Sequence, residues 1–403
     1  MNYTAILGCI LEIGAAMIRS GAETHRVEDS LYRLCDAYRY RDCNIWVVPS
    51  NIQATVTDPG GNTETQVRHI RRSGIDFARL DRLNDLSRRC CACPPDERGL
   101  CEQFRAAMDL PAAKLWHSCL SGMMAGVSFG VFFNCDFYDA LVAALASILI
   151  TVFGRYFGRR ESNPLILNFI IASITEFFIL FCVRLGFGHH TGYITVGVVM
   201  LLISALGTTN GVRDLVHLDT LSGVMNISVS FTGAVGIALG IALPLMILRG
   251  FGTNEPLSLN PGIPAALISC AVGCAGFALW FNTKKLAHVI ACALGAALTW
   301  GVYLGAAALI GEIYPAILIA SVVCSLYAAL MARINKAPAT IFRTICIFPL
   351  IPGAALYYMM YGIIMRDGEL ASSMGLTLLL TCFCIVLGFM AVEAVGKLFR
   401  KGI

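Results

Sequence analysis

Two apolar stretches decide how this chain folds. They are Val199-Met-Leu-Leu-Ile-Ser-Ala-Leu-Gly207-Thr-Thr-Asn-Gly211-Val-Arg213-Asp214 and Ile345-Cys-Ile-Phe-Pro349-Leu-Ile-Pro352-Gly353-Ala-Ala-Leu-Tyr357-Tyr. Each has the apolar character of a membrane crossing, yet each is interrupted by glycine or proline, and the two interruptions lie about 146 residues apart. In lipid every backbone N–H and C=O needs a partner, so a break is tolerated only where protein or a wet cavity supplies one. Interrupted spans in matching positions of two halves point to the binding site of a transporter.

The composition agrees with a membrane protein. Of 403 residues, 57% are apolar and only 14% charged, and the mean hydropathy is +0.70, far above the balance of soluble domains. The charge is unevenly distributed: residues 1–117 hold 15 of the 30 Lys/Arg and 15 of the 26 Asp/Glu, whereas the rest of the chain is long apolar runs with sparse charges between them. The expected organisation is a cytoplasmic α/β domain over 1–117, a first five-helix membrane half over 118–250 and a second over 251–403.

At roughly 20 apolar residues per crossing, ten spans are expected, near 118–134, 137–154, 165–183, 192–208, 222–248, 262–282, 287–310, 313–331, 339–362 and 374–396. Twelve Lys/Arg then fall in the inner loops and C-terminus and three (Arg184, Arg249 and Arg366) outside. This positive-inside bias predicts a multi-pass protein of the inner (plasma) membrane with both termini cytoplasmic. Five spans per half makes the second half enter from the opposite side, the arrangement of an inverted repeat.

The first apolar run, Ala5 to Ile18, lacks a basic flank, contains Glu12 and ends in Arg19-Ser20-Gly21. It is expected to be a buried helix of the N-terminal domain rather than a secretory leader. Ser20-Gly-Ala-Glu23 has the form of a capping box opening a helix to about Tyr38. Asn44–Val48, Ile52–Thr57 and Thr63–Ile70 read as strands with a turn at Asp58-Pro-Gly-Gly-Asn62. Phe77, Leu80, Leu83 and Leu86 mark one amphipathic helix face. Glu23, Arg26 and Glu28, with His25 and Asp29, form a structural salt-bridge network, a gating and regulatory cluster, or a catalytic one. Most of the 17 cysteines are expected to be small hydrophobes or reduced thiols; Cys90-Cys91-Ala92-Cys93 with Cys101 fits no common zinc spacing.

In the membrane part, Thr208, Thr209 and Asn210 sit where the fourth span is expected to lose helical structure. They offer donors and acceptors to a small solute. Arg213 offers a bidentate fork for a carboxylate, and Asp214 either holds Arg213 or binds an ammonium group; a plain helix-end ion pair is the alternative. Glu176 stands mid-span, where an ionised carboxylate facing lipid costs ~2.5 kcal/mol or more. It should therefore face the protein interior, as a proton-coupling group or as a protonated hydrogen-bond partner. Gly353 permits close backbone approach, and Tyr357 can hydrogen-bond a substrate. Asn168 and Asn226 are expected to join helices, Arg343 to anchor at the interface and Glu393 to be structural. No nucleophile–base motif, zinc signature or phosphate loop supports catalysis, so no enzyme, cofactor or metal is expected, and no nucleic-acid partner; homo-oligomerisation is left open.

Several motifs resemble the threonine/serine exporter family. They are Ser20-Gly-Ala-Glu-Thr-His-Arg-Val-Glu-Asp29, Gly74-Ile-Asp, Leu83-Asn-Asp-Leu-Ser-Arg88, Asn210-Gly-Val-Arg-Asp-Leu215 with Leu221-Ser-Gly223, Ala337-Pro-Ala, and Pro349-Leu-Ile-Pro-Gly353 with Tyr357. Where the family has Pro-Gly at the first break this chain has Leu206-Gly207, so a gentler break is expected there. The resemblance implies proton-driven export of small hydroxy amino acids. The alternatives are dicarboxylate export on the same scaffold, as in related split members, or a membrane sensor with a regulatory soluble domain.

Overall fold

The N-terminal helix α1 (Tyr3–Arg19) forms because Asn2 caps it and its apolar run is buried almost throughout, from Ile6 to Ile18. This computed structural model describes residues 2–71, 74–111, 113–161, 163–203, 205–216, 218–248 and 262–400. The chain divides into two units. The first comprises 1–113 with two short connectors from later in the chain, 281–284 and 332–341; the second comprises the remainder.

In the first unit α1 is followed by α2 (Thr24–Ala37), strands β1 (Arg41–Val48), β2 (Asn51–Thr57) and β3 (Thr63–His69), then α3 (Phe77–Ala92) and α4 (Glu97–Met108). The strands form an antiparallel sheet in the order β1-β2-β3. Its register sets Val47 opposite Ile52 and Ile45 opposite Ala54, and these four side chains are buried. The β2–β3 turn is held by Asp58, whose carboxylate accepts the Asn62 N–H at 2.8 Å and is thereby kept below the ordinary carboxylate pKa. Asp76 caps α3 and also accepts from Asn282 Nδ2 at 2.9 Å, while Phe77 N–H donates to Phe281 O.

Two local expectations are corrected. Ser20 does not open α2; it closes α1, donating its hydroxyl to Ala16 O at 2.8 Å, and Glu23 is the residue preceding α2 without a side-chain cap bond. The cause is Gly21, whose φ of +92° reverses the chain between the helices. Cys101 is not a free thiol either: it is joined to Cys9, tying α4 to α1 across 92 residues of sequence. Cys90 remains a thiol, pushed up to about 11 by burial.

The second unit is helical. Its first part comprises α5 (Leu115–Phe132), α6 (Phe137–Phe157), α7 (Pro164–Arg184), α8 (Thr191–Val199), α9 (Ala205–Val216) and α10 (Thr220–Ile247). Its second part comprises α11 (Ile263–Trp280), α12 (Leu286–Ile310), α13 (Ile313–Ile334), α14 (Ala339–Cys346), α15 (Gly353–Met365) and α16 (Gly368–Arg400). Among the described residues eight helices are long and apolar enough to cross a membrane, and α14 and α15, bent by 54° at their break, are apolar enough together to count as a ninth if taken as one span. The fourth expected span is instead the two short helices α8 and α9. The expected boundary between halves at 250/251 falls outside the described residues.

Packing follows small residues. A Cβ on Gly236 of α10 would lie 2.3 Å from Leu165 O, and one on Gly240 would lie 2.6 Å from Phe169 O, so α10 and α7 are in backbone contact. Asn168 Nδ2 donates to Gly233 O at 3.1 Å along the same seam. Such close crossings are what hold helices together where lipid removes the hydrophobic drive. Further packed pairs are α5 with α11, α10 with α15, and α9 with α16. We expect Gly236→Val to lower stability by about 1–3 kcal/mol or to prevent folding. Gly305→Ala, within α12 and with nothing within 4 Å of the new Cβ, should leave stability unchanged or raise it by up to about 1 kcal/mol; thermal unfolding in detergent compares them.

Candidate functional site

The two interrupted segments meet. Helix α8 ends at Met200 in a tightened turn, where Leu201 N–H donates to Val198 O at 3.0 Å and Leu202 N–H to Val199 O at 2.8 Å. On the other segment a short 3₁₀ turn at Phe348–Leu350 and Pro352 separate α14 from α15, which starts at Gly353. A Cβ on Gly353 would stand 2.6 Å from Met200 Sδ and 3.7 Å from Ile203 Cδ1. Glycine at 353 is what allows one break to close on the other. Ile203 packs against both the Ala355–Leu356 cluster and the Val199–Ile237–Ile241 cluster, and Tyr357 joins the latter.

The first break therefore lies at Met200–Ile203, upstream of the expected Gly207. Gly207, Thr208, Thr209 and Asn210 are within α9. A helical glycine costs only about 1 kcal/mol relative to alanine, and Gly211 serves packing. A Cβ on Gly211 would meet Gly223 O at 2.9 Å, and one on Gly223 would meet Gly211 O at 2.8 Å, so α9 and α10 cross in contact. The side chains of Thr208, Thr209 and Arg213 lie outside the described residues. Asn210 is half-buried. Asp214 is buried and accepts from Asn226 Nδ2 at 2.9 Å, a bond between α9 and α10.

Beside the meeting point, Glu176 of α7 is buried, 3% exposed, and its Oε2 accepts the Thr195 hydroxyl of α8 at 2.9 Å. Tyr357 is within electrostatic reach of Glu176, and Tyr358 within reach of Tyr193. Glu176, Tyr357 and Gly353 thus come together with Thr195, Tyr193 and Met200, which sequence reasoning did not single out. Thr195 and Tyr193 sit in Thr191-Gly-Tyr-Ile-Thr-Val, a hydroxyl-rich start to an otherwise apolar run; that polarity was the available signal. Asp214 belongs to the neighbouring α9–α10 crossing. A separate cavity of about 630 Å³ is lined by Phe177, Phe178, Leu180, Phe181 and Leu248 with Arg184 as its one charged residue, and is mainly apolar.

In the first unit Arg26 Nε bonds Glu23 Oε2 at 2.9 Å, and His25 Nε2 stands 4.0 Å from the same oxygen. Glu23 is nearly buried between two basic side chains, and Glu28 sits half-buried on α2.

Among the described residues, one group is compact enough for a metal ion: Asp136, Asp139 and His189, with ligand atoms within 4.8 Å of one another. The present bonding already uses these groups. Asp136 and Asp139 form the capping box of α6, Asp139 Oδ1 accepts the N–H groups of His189 and His190, and His190 Nδ1 lies 2.8 Å from Asp139 Oδ2. His189 Nδ1 lies 2.5 Å from Asp136 Oδ2. That bond, then the Asp136 charge, raise the His189 pKa. Against the opposing effect of partial burial, the Asp139 N–H and His189 keep the Asp136 carboxyl low.

Because the folded pKa of His189 is raised, its contribution to stability is fully present below about pH 6.5, the unfolded value, and is lost as pH rises through the folded value. The Asp136 contribution has the opposite sign and is lost as pH falls through its depressed value. We expect the wild-type melting temperature to fall between pH 6 and 8 by more than that of His189→Gln; parallel curves would remove His189 from the account.

The family model described as "Putative threonine/serine exporter" matches residues 9–248. The model described as "Threonine/Serine exporter, ThrE" matches residues 266–395. The chain is 24% identical over 395 residues to a Mycobacterium tuberculosis protein named "Probable threonine/serine exporter", covering 91% of this chain and 72% of that one. No solved structure matches. With its two segments matched in order and a relative aligned along most of its length, the chain belongs to the threonine/serine exporter family.

Proposed function

We propose that this protein is a proton-coupled secondary transporter that exports threonine or serine across the inner membrane. The observation that carries the reading is the contact of Gly353 with Met200, which brings both interrupted segments to one point beside Glu176. Broken helices meeting at the interface of two repeats are where transporters bind substrate.

The packing supports ten crossings in two inverted halves, 118–250 and 251–403, with α8–α9 and α14–α15 as the fourth crossing of each. First packs on first (α5 with α11), fifth of one half on fourth of the other (α10 with α15), and fourth on fifth (α9 with α16). Such reciprocity is expected of a pseudo-two-fold axis. The positive-inside bias favours cytoplasmic termini, and the 1–117 domain, with Glu23, Arg26 and Glu28, is assigned a regulatory role.

In this reading Thr195, Tyr357 and the backbone at Gly353 receive the solute's polar groups, and Thr208, Thr209, Asn210, Arg213 and Asp214 of α9 complete the pathway. Glu176 takes up a proton from outside and releases it inside as the solute moves outward, so each half-cycle alternates a neutral and a charged buried carboxyl.

In proteoliposomes we expect Glu176→Gln to reduce pH-gradient-driven threonine efflux at least tenfold while sparing threonine counterflow. Loss of both to the same extent would remove the proton role. Counterflow of dicarboxylates alone, with none for threonine or serine, would replace the substrate assignment with the dicarboxylate one.

A further inference from the structure

A second polar centre lies in the latter part of the membrane unit, apart from the meeting point of the breaks. Arg343 of α14 is 5% exposed, and its Nη1 donates to Glu393 Oε1 of α16 at 2.7 Å. Its guanidinium carbon stands 5.2 Å from the centre of the Phe389 ring, one turn before Glu393. The contact of α16 with α13 is close: a Cβ on Gly388 would lie 2.7 Å from Ser321 Cβ.

Two features are unlike a finished structural ion pair. The buried Nε of Arg343 has no hydrogen-bond partner, and neither has the buried Ser325 Oγ on α13. An Arg fork normally spends its donors in parallel on a carboxylate; here Glu393 engages the Nη1 side and leaves Nε–H sealed. The burial is also asymmetric, with the Arg343 side chain 6% exposed and Glu393 17%. Glu393 is the more accessible partner and covers a cation that retains an unused donor.

We propose that Arg343 is a carboxylate-binding station and that Glu393 is its exchangeable internal occupant. This rests on the exporter reading for its place in the cycle: Lys284 and Lys285 before α12, and Arg333 and Lys336 where α13 passes to α14, put this end of the second half at the cytoplasmic face, where an exported solute first enters. The exchange balances in charge. A proton from the cytoplasm neutralises the Glu393 carboxylate, the Arg343–Glu393 bond breaks, and the solute's carboxylate accepts from Nη1 and Nε in its place. The buried centre holds one cation and one anion before and after, which avoids leaving an unpaired charge in a dry interior. Nearby titratable groups on the packed elements are thiols, one imidazole and the Tyr327 phenol of α13, whose hydroxyl donates to Ala291 O at 2.8 Å. Cys324 on α13 is within electrostatic reach of Arg343, Cys346 on α14 bonds Cys292 O on α12, and His288 on α12 meets Phe342 edge-on. Glu369 lies in the first turn of α16, and Glu393 is the carboxylate bonded to Arg343.

Lactate and serinol separate the chemistry, the first having a carboxylate and no ammonium group, the second the reverse. Binding to the purified full chain in detergent, followed by calorimetry, should show lactate binding that strengthens as pH falls from 7.5 to 5.5. Glu393→Gln, a fixed neutral occupant, should bind lactate at least fivefold more tightly at pH 7.5 and with no pH dependence. Arg343→Gln should bind none, and serinol should bind no variant through this station. Should Arg343→Gln fail to fold, Arg343→Lys, with a point charge and no fork, should weaken lactate at least threefold. Equal lactate affinity and equal pH slope in wild type and Glu393→Gln would overturn the proposal, as would lactate binding retained by Arg343→Gln. Threonine and serine flux is measured on the same preparations. Lactate binding as expected without such flux sinks the exporter reading and leaves the station; normal flux with pH-insensitive lactate binding sinks the station alone.

Discussion

The membrane unit is governed by one requirement: backbone polar groups removed from water must find partners, and a helix is interrupted only where something else provides them. Here the two interruptions provide for each other. Met200 and Ile203 from one break lie against Gly353 of the other, and the apolar clusters around Ala355, Leu356 and Tyr357 draw residues from both. The side-chain-free surface of Gly353 is the element on which this closure depends, since any larger residue would displace Met200.

Around that contact the helices are held by small residues rather than by apolar bulk. The α7–α10, α9–α10 and α13–α16 crossings each place a glycine where a methyl group would strike backbone or a neighbouring side chain. Polar side chains are sparse, and where they occur they bridge elements: Asn168 to Gly233, Asn226 to Asp214, Thr195 to Glu176, Arg343 to Glu393. A rigid frame of close crossings with a few buried polar links suits a protein that must move a polar solute through lipid. Polar contacts then mark the route while the crossings keep their geometry.

The N-terminal unit obeys the ordinary rules of soluble folds, with alternating burial on β2, caps at Asn2, Asp76 and Asp96, and a buried α1. Much of it was legible: the three strands and the α3 face follow from alternation and three-residue spacing, although β1 starts at Arg41 rather than at the expected Asn44. The start of α2 was misread because Ser20-Gly-Ala-Glu23 satisfies a capping pattern that Gly21 overrides by its positive φ. The Cys9–Cys101 link was not legible, since its partners are 92 residues apart and pairing depends on how α1 and α4 pack.

For the candidate site the same division holds. The sequence by itself determined that the chain is a membrane protein with a polar N-terminal part, that Pro349, Pro352 and Gly353 interrupt a span, and that Glu176 must face inward, because apolar length, proline geometry and the cost of a charge in lipid are local properties. Only the tertiary structure decided which groups share a location. It moved the first break from Gly207 to Met200–Ile203 and gave Gly211 to a helix crossing. It joined Thr195 to Glu176 and Glu393 to Arg343. Those outcomes depend on how closely helices distant in sequence approach, and that distance is set by packing partners that no local pattern encodes.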